Sequence, residues 1–123
     1  MNFIDGTVVK TENGLALEFA GHRISLPEGK QKNLEAYTGK EVVLGIRPED
    51  VSIGNNPEAI DMKLDLVELM GAEMYLHCNL SDFKITVRTP VVDGCKSDST
   101  LSFTINKQKL HIFDKETEMV ISN

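Results

Sequence analysis

The stretch Val42-Val43-Leu44-Gly45-Ile46-Arg47-Pro48-Glu49-Asp50-Val51 (VVLGIRPEDV, residues 42–51) changes character at its midpoint. Its first half is apolar and rich in β-branched residues, which suits a buried strand. Pro48 has no amide hydrogen and biases Arg47 toward extended geometry, so a sheet ladder stops there. Pro48-Glu49-Asp50 then predicts a tight turn or a single helical turn, with proline at its first position and acids at its positive end. Arg47 is placed to pair with Glu49, Asp50 or Glu68 and hold that turn down; the other reading makes it a partner-facing side chain.

Working outward, period-two patterns dominate. Leu15, Leu17 and Phe19 alternate with smaller or polar residues, Gly21 breaks the run, and His22 to Leu26 resumes it, which predicts a β-hairpin. Met62, Leu64 and Leu66 form a second alternating run, and Met74, Leu76, Cys78 and Leu80 a third, with Met70-Gly71-Ala72 as the turn between them. Phe83, Ile85 and Val87, then Leu101, Phe103 and Ile105, complete the set of half-buried strands. Only Lys30 to Thr38 argues for helix, with Gly39 as its C-cap. Short strands at this spacing predict an all-β fold, a small barrel or sandwich in which closure of the sheet removes exposed edges. The loop Gly54 to Glu58 is the expected border between two sub-lobes.

A chain of 123 residues matches the usual size of one domain. The longest apolar runs are too short to span a bilayer, and MNFIDGTVV lacks the basic and apolar regions of a secretory leader. With two cysteines, Cys78 and Cys95, read as reduced thiols, a cytoplasmic residence is expected. The formal net charge of -6 disfavours nucleic acid and anionic lipid as partners, and proteins are expected instead. Lys30, Lys32, Lys107, Lys109 and Lys115 are read as solvated lysines on loops.

No catalytic constellation emerges. Gly29-Lys30 has Ile24 where a P-loop needs its first glycine, and Gly39-Lys40 has Leu34 there. His22, His77 and His111 lie far apart in the chain, and His77 and Cys78 point to opposite faces of a strand, so no metal ion is expected. No serine sits in a G-x-S-x-G elbow, Cys78 reads as core filling, and adjacent Glu49 and Asp50 on a loop point apart into water. No catalytic, cofactor-binding or metal-ligating residue is assigned.

VVLGIRPEDV nevertheless resembles the regulatory domain of ATP-binding subunits from bacterial ABC importers of sugars and glycerol phosphate, the maltose-importer type. MNFIDGTVV, LPEG, VELMGAEMYLH and LHIFDKET follow in the order of that family, so the resemblance runs along essentially the whole chain. It implies a small barrel of the transport-associated oligomer-binding (TOBE, or MOP-like) type, with additional strands and at most one short helix. It also implies a non-catalytic domain over residues 1–123 that pairs with a second copy of the same subunit. The nucleotide-binding domain of the parent chain, permease subunits and, in some members, a regulatory protein are the further implied partners.

ATP and Mg would belong to that parent, at the cytoplasmic face of the membrane, because no Walker A loop or ABC signature occurs in this sequence. These residues would then be an excised or truncated C-terminal part, with Met1 internal to the parent or a cloning start. By resemblance, the structural or interface residues are Gly45, Arg47, Pro48, Glu49 and Asp50 of the central motif. Glu68, Gly71 and Glu73 of E-x-x-G-x-E join them, as do His111, Phe113 and Asp114 of the terminal strand and turn. The sequence departs from the family at Met70, read as a mild change in a buried position. It departs again at Lys115, where proline is common, and at Glu118, where glycine usually follows the threonine, so a last turn that is looser or of a different type is expected. The second reading is a small oxyanion-binding module of the molybdate-transporter type.

Overall fold

The computed structural model describes residues 1–122, folded almost entirely as strands, and the backbone contacts separate two compact units. The first holds Met1, Phe3–Ile46 and the chain from Lys107 onward; the second holds Asn2 and Arg47–Asn106. In chain order, β1 (Asn2–Thr11), β2 (Gly14–Phe19), β3 (His22–Ser25), the helical turn α1 (Glu28–Gln31) and β4 (Glu41–Ile46) come first. β5 (Val51–Ile53), β6 (Ile60–Met70), β7 (Glu73–Leu80), β8 (Phe83–Pro90) and β9 (Thr100–Ile105) build the second unit. β10 (His111–Asp114) and β11 (Val120–Ser122) complete the first.

The first unit is a six-stranded sheet in the order β11-β10-β4-β1-β2-β3. Ile4, Val8, Leu15, Leu17, Ile24, Leu34, Val42, Leu44 and Ile112 fill its core, as the alternation along each strand requires. The hairpin of β2 and β3 turns at Ala20 (φ 50°) and Gly21 (φ 81°), the pair of positive angles that matches the twist of a two-residue hairpin. The second unit is a five-stranded sheet, β5-β9-β6-β7-β8, wound into a nearly closed barrel. Its core is Val51, Ile60, Met62, Leu64, Met74, Leu76, Cys78, Ile85, Val87 and Phe103.

The central motif folds as its residues dictate. β4 ends at Ile46, Arg47 is extended (φ -73°, ψ 147°), and Pro48–Asp50 form a single 3-10 turn with proline leading it. The Asp50 amide donates to the Arg47 carbonyl at 2.9 Å, and β5 begins at Val51.

Five expectations are corrected. The segment 30–38 is not one helix: α1 covers Glu28–Gln31 and a 3-10 turn covers Glu35–Tyr37, because Leu34 leaves helical geometry (φ -96°, ψ -11°) to bury its side chain completely. With Pro48–Asp50 and Lys107–Lys109, three 3-10 turns accompany one α-helical turn. The loop 54–58 does not divide the units. It joins β5 to β6, which both pair with β9 in one sheet, and the chain crosses between units at Ile46/Arg47 and Asn106/Lys107 instead.

Leu66 does not share the inward face of Met62 and Leu64. The β6–β7 ladder slips by one residue between Leu64 and Leu66, a bulge at Asp65 that turns Leu66 to solvent opposite His77. Met70 is exposed as well, at the end of the same strand. Lys30 is the reverse case: it is buried, and its Nζ donates to the Leu110 carbonyl at 2.9 Å. Burial, with Lys109 nearby, pulls the Lys30 ammonium below its ordinary pKa.

Candidate functional site

The motif residues gather in two places, one in each unit. In the first unit, Gly45 lies directly opposite His111 in the β4–β10 ladder, and Phe113 lies opposite Val43. All four face away from the core that Leu44 and Ile112 enter. A Cβ at position 45 would stand 2.6 Å from Met1 Sδ and 2.8 Å from a Phe113 ring carbon, so glycine is what lets both side chains lie across the strand. Phe3 meets Phe113 edge to face at 6.1 Å, and the His111 ring lies 6.4 Å from that of Phe113. The outer face of this sheet is therefore apolar at one end, with Met1, Phe3 and Val120 exposed beside Phe113.

Asp114 closes the neighbouring turn. Its Oδ1 accepts the amides of Glu116 and Thr117 at 2.9 Å each, and its Oδ2 accepts the Tyr37 hydroxyl at 2.7 Å. The Thr117 amide, then Tyr37, hold the Asp114 carboxyl below the usual carboxylate range, and the same contact raises the Tyr37 phenol. The turn is thus tied rather than loose, although Glu118 sits at φ 62°, a backbone region that favours glycine. Lys115 Nζ reaches Glu41 at 2.8 Å and Asp5 at 3.7 Å, and the Glu41 contact raises its pKa.

In the second unit, Glu49 from the central motif and Glu73 from E-x-x-G-x-E line one shallow groove of about 440 Å³ with Ala72, Arg88, Thr89 and Pro90. Two motifs that are not contiguous in sequence meet there. Arg88 Nε binds Glu73 Oε2 at 2.8 Å, a diagonal pair across the β7–β8 ladder. Gly71, at φ 71°, starts the two-residue turn that sets Glu73 opposite Met70 and Tyr75 opposite Glu68. Glu68 Oε1 meets Nε2 of His77 on the adjacent strand.

The ion pair expected at Arg47 is not formed. Its guanidinium is exposed and has no carboxylate partner among the described residues, since Glu68 is taken by His77. Asp50 uses its carbonyl to accept the Asn106 amide at 2.9 Å, while its Oδ2 is shielded from solvent with no hydrogen-bond partner among the described residues. Cys78 lies in the core, where burial pushes its thiol up to about 11, the condition of a packing residue rather than a nucleophile.

Sequence reasoning missed Tyr37 and Arg88. Tyr37 contacts a residue far along the chain, and no local pattern marks such a pair. Arg88 did carry a signal: it occupies a polar position of β8, diagonal to Glu73 once the hairpin register is set.

An all-β pair of compact units built of short strands defines a class of fold, that of the oligomer-binding-fold domains. Residues 1–51 match the model of the MalK OB fold domain, and residues 44–113 match the model of the TOBE domain. The second match covers more than half of the chain, which belongs to the TOBE domain family.

Among curated relatives, the chain is 33% identical over 129 residues to the multiple sugar-binding transport ATP-binding protein MsmK of Streptococcus mutans, covering 98% of this chain and 33% of that one. It is 33% identical over 131 residues to the oligosaccharides import ATP-binding protein MsmX of Bacillus subtilis, covering 98% and 34%. To the sn-glycerol-3-phosphate import ATP-binding protein UgpC of Salmonella typhi it is 30% identical over 118 residues, covering 95% and 32%. The chain therefore spans about a third of the length of the curated relatives it matches. Among solved structures, the cytoplasmic molybdate-binding protein ModG has a TM-score of 0.72 at 16% identity, over 90% of this chain and 94% of that one, a likeness of fold.

Proposed function

We propose that this chain is the non-catalytic regulatory and self-pairing domain of an ATP-binding subunit that serves a bacterial importer of sugars or glycerol phosphate. One observation carries the reading: 95–98% of the chain aligns with about a third of ATP-binding proteins for sugar and glycerol-phosphate import. ATP and Mg bind elsewhere in the parent polypeptide, at the cytoplasmic face of the membrane where permease subunits receive it. Within this chain the motif residues act as scaffold and surface: Gly45, Pro48, Gly71 and Asp114 set strand ends and turns. Arg47, Glu49, Glu68, Glu73, His111 and Phe113 present side chains to a second copy or to a regulatory protein.

Sedimentation velocity over a concentration series tests this reading. Reversible self-association by high micromolar concentration is the expected result, together with no retention of Mg-ATP in equilibrium dialysis. A strict monomer throughout the series overturns self-pairing. Retention of Mg-ATP overturns the placement of the nucleotide site outside this chain.

A further inference from the structure

In the second unit, β9 pairs with β6 only from Ile60 to Lys63, and the ladder is extended by one residue where Leu64 exchanges bonds with Asp98 and Ser99. From Asp65 to Met70, β6 is paired with β7 alone among the described residues, so its other edge is open to a further strand. This open edge is not apologetically polar: Leu66, Leu69 and Met70 are 51%, 70% and 55% exposed. An exposed edge with large apolar side chains is a template for another strand.

The hydrogen-bonding groups are arranged for such an addition. In a two-residue hairpin the closing pair, here Met70 and Glu73, exchanges bonds across the turn, and alternation along an antiparallel ladder then turns the N–H and C=O of Val67 and Leu69 outward. We propose that this edge pairs antiparallel with the same edge of a second copy of the chain, on a two-fold axis through Val67. The inference rests on the self-pairing reading above and names the surface that performs it.

Symmetry and charge select the register. Directly opposed residues share a face of the sheet and faces alternate along a strand, so a two-fold axis between identical antiparallel strands must set one residue opposite itself. Centred on Glu68, the pairing would place two carboxylates face to face, which destabilises a ladder. Centred on Leu66, it would require Lys63 and Leu64, whose edges are already taken by β9 and its approach. Centred on Leu69, it would run into the Gly71-Ala72 turn. Centred on Val67, it uses the free segment from Asp65 to Leu69: Asp65 faces Leu69, Leu66 faces Glu68, and no carboxylate lies directly opposite another. The charge pattern of Asp65 and Glu68 is compatible with a second copy in this one register.

Sedimentation velocity on the wild-type chain and on Val67→Lys and Val67→Glu tests the axis, with far-ultraviolet circular dichroism as the folding control. Each variant alone sets like charges on the axis and is expected to raise the self-association Kd about tenfold or more, and an equal mixture of the two is expected to restore it. A Val67→Lys chain that associates as tightly as wild type overturns the β6 interface and leaves self-pairing standing. A wild-type chain that never associates overturns self-pairing, and the interface with it. Hydrogen exchange on the wild type needs no substitution: slower exchange at the Val67 and Leu69 amides with rising concentration supports the pairing, and concentration-independent exchange in a self-associating chain overturns it.

Discussion

Tyr37 and Asp114, 77 residues apart in sequence, are joined by a 2.7 Å hydrogen bond from phenol to carboxylate. The contact links the 3-10 turn before β4 to the turn after β10, and it shifts both groups: Asp114 is lowered and Tyr37 raised. These shifts have opposite consequences along the pH axis. The Asp114 share of stability is present above its ordinary value of 3.8 and is lost as pH falls through the lowered folded value. The Tyr37 share is present below 10.0 and is lost as pH rises through the raised folded value. Tyr37→Phe is therefore expected to lower stability at neutral pH and to lose the alkaline arm, and Asp114→Asn to lose the acid arm. Urea unfolding across pH measures both; a Tyr37→Phe profile that coincides with wild type would show the bond contributes nothing.

Glu118→Gly is expected to stabilise the chain. Glu118 holds φ 62°, where a side chain costs roughly 1–2 kcal/mol that glycine does not pay. Part of that gain is offset by the greater freedom of an unfolded glycine, leaving about 1 kcal/mol. Thermal unfolding should show a higher midpoint.

Lys30→Met tests the buried lysine. The folded state lowers the Lys30 pKa below 10.5 through burial and then Lys109, so the unfolded chain binds more protons and wild-type stability rises with pH through that window. The methionine variant removes this slope while leaving the Leu110 carbonyl without its donor. Denaturant unfolding at neutral and alkaline pH compares the two; an unchanged slope would contradict the assignment.

Arg47→Ala is expected to leave stability within about 0.5 kcal/mol of wild type, because the exposed guanidinium has no ion-pair partner among the described residues. Thermal unfolding checks it. A loss well beyond that range would return Arg47 to the role of a staple on its own turn.

Much of the fold was legible because period-two alternation reports a half-buried strand wherever one face meets a core. Met74 to Leu80 and Leu15 to Phe19 read correctly for that reason, and Pro48 marked the end of β4 through its missing amide. Leu66 misled because a bulge adds one residue and reverses every side chain beyond it, and nothing in D-L-V-E-L announces that slip. Lys30 misled because lysine is expected in water, and only a distant carbonyl, that of Leu110, explains its burial.

The sequence by itself determined that this is an all-β chain with a proline-ended strand at Ile46 and tight glycine turns, since these follow from local backbone limits and alternation. Tertiary structure alone decided that Glu49 and Glu73 share a groove, that Tyr37 holds Asp114, and that β6 is left with an open edge beyond Leu64. Such relationships depend on which strands become neighbours and where a ladder stops. They are set by packing across the whole sheet, which no window of sequence contains.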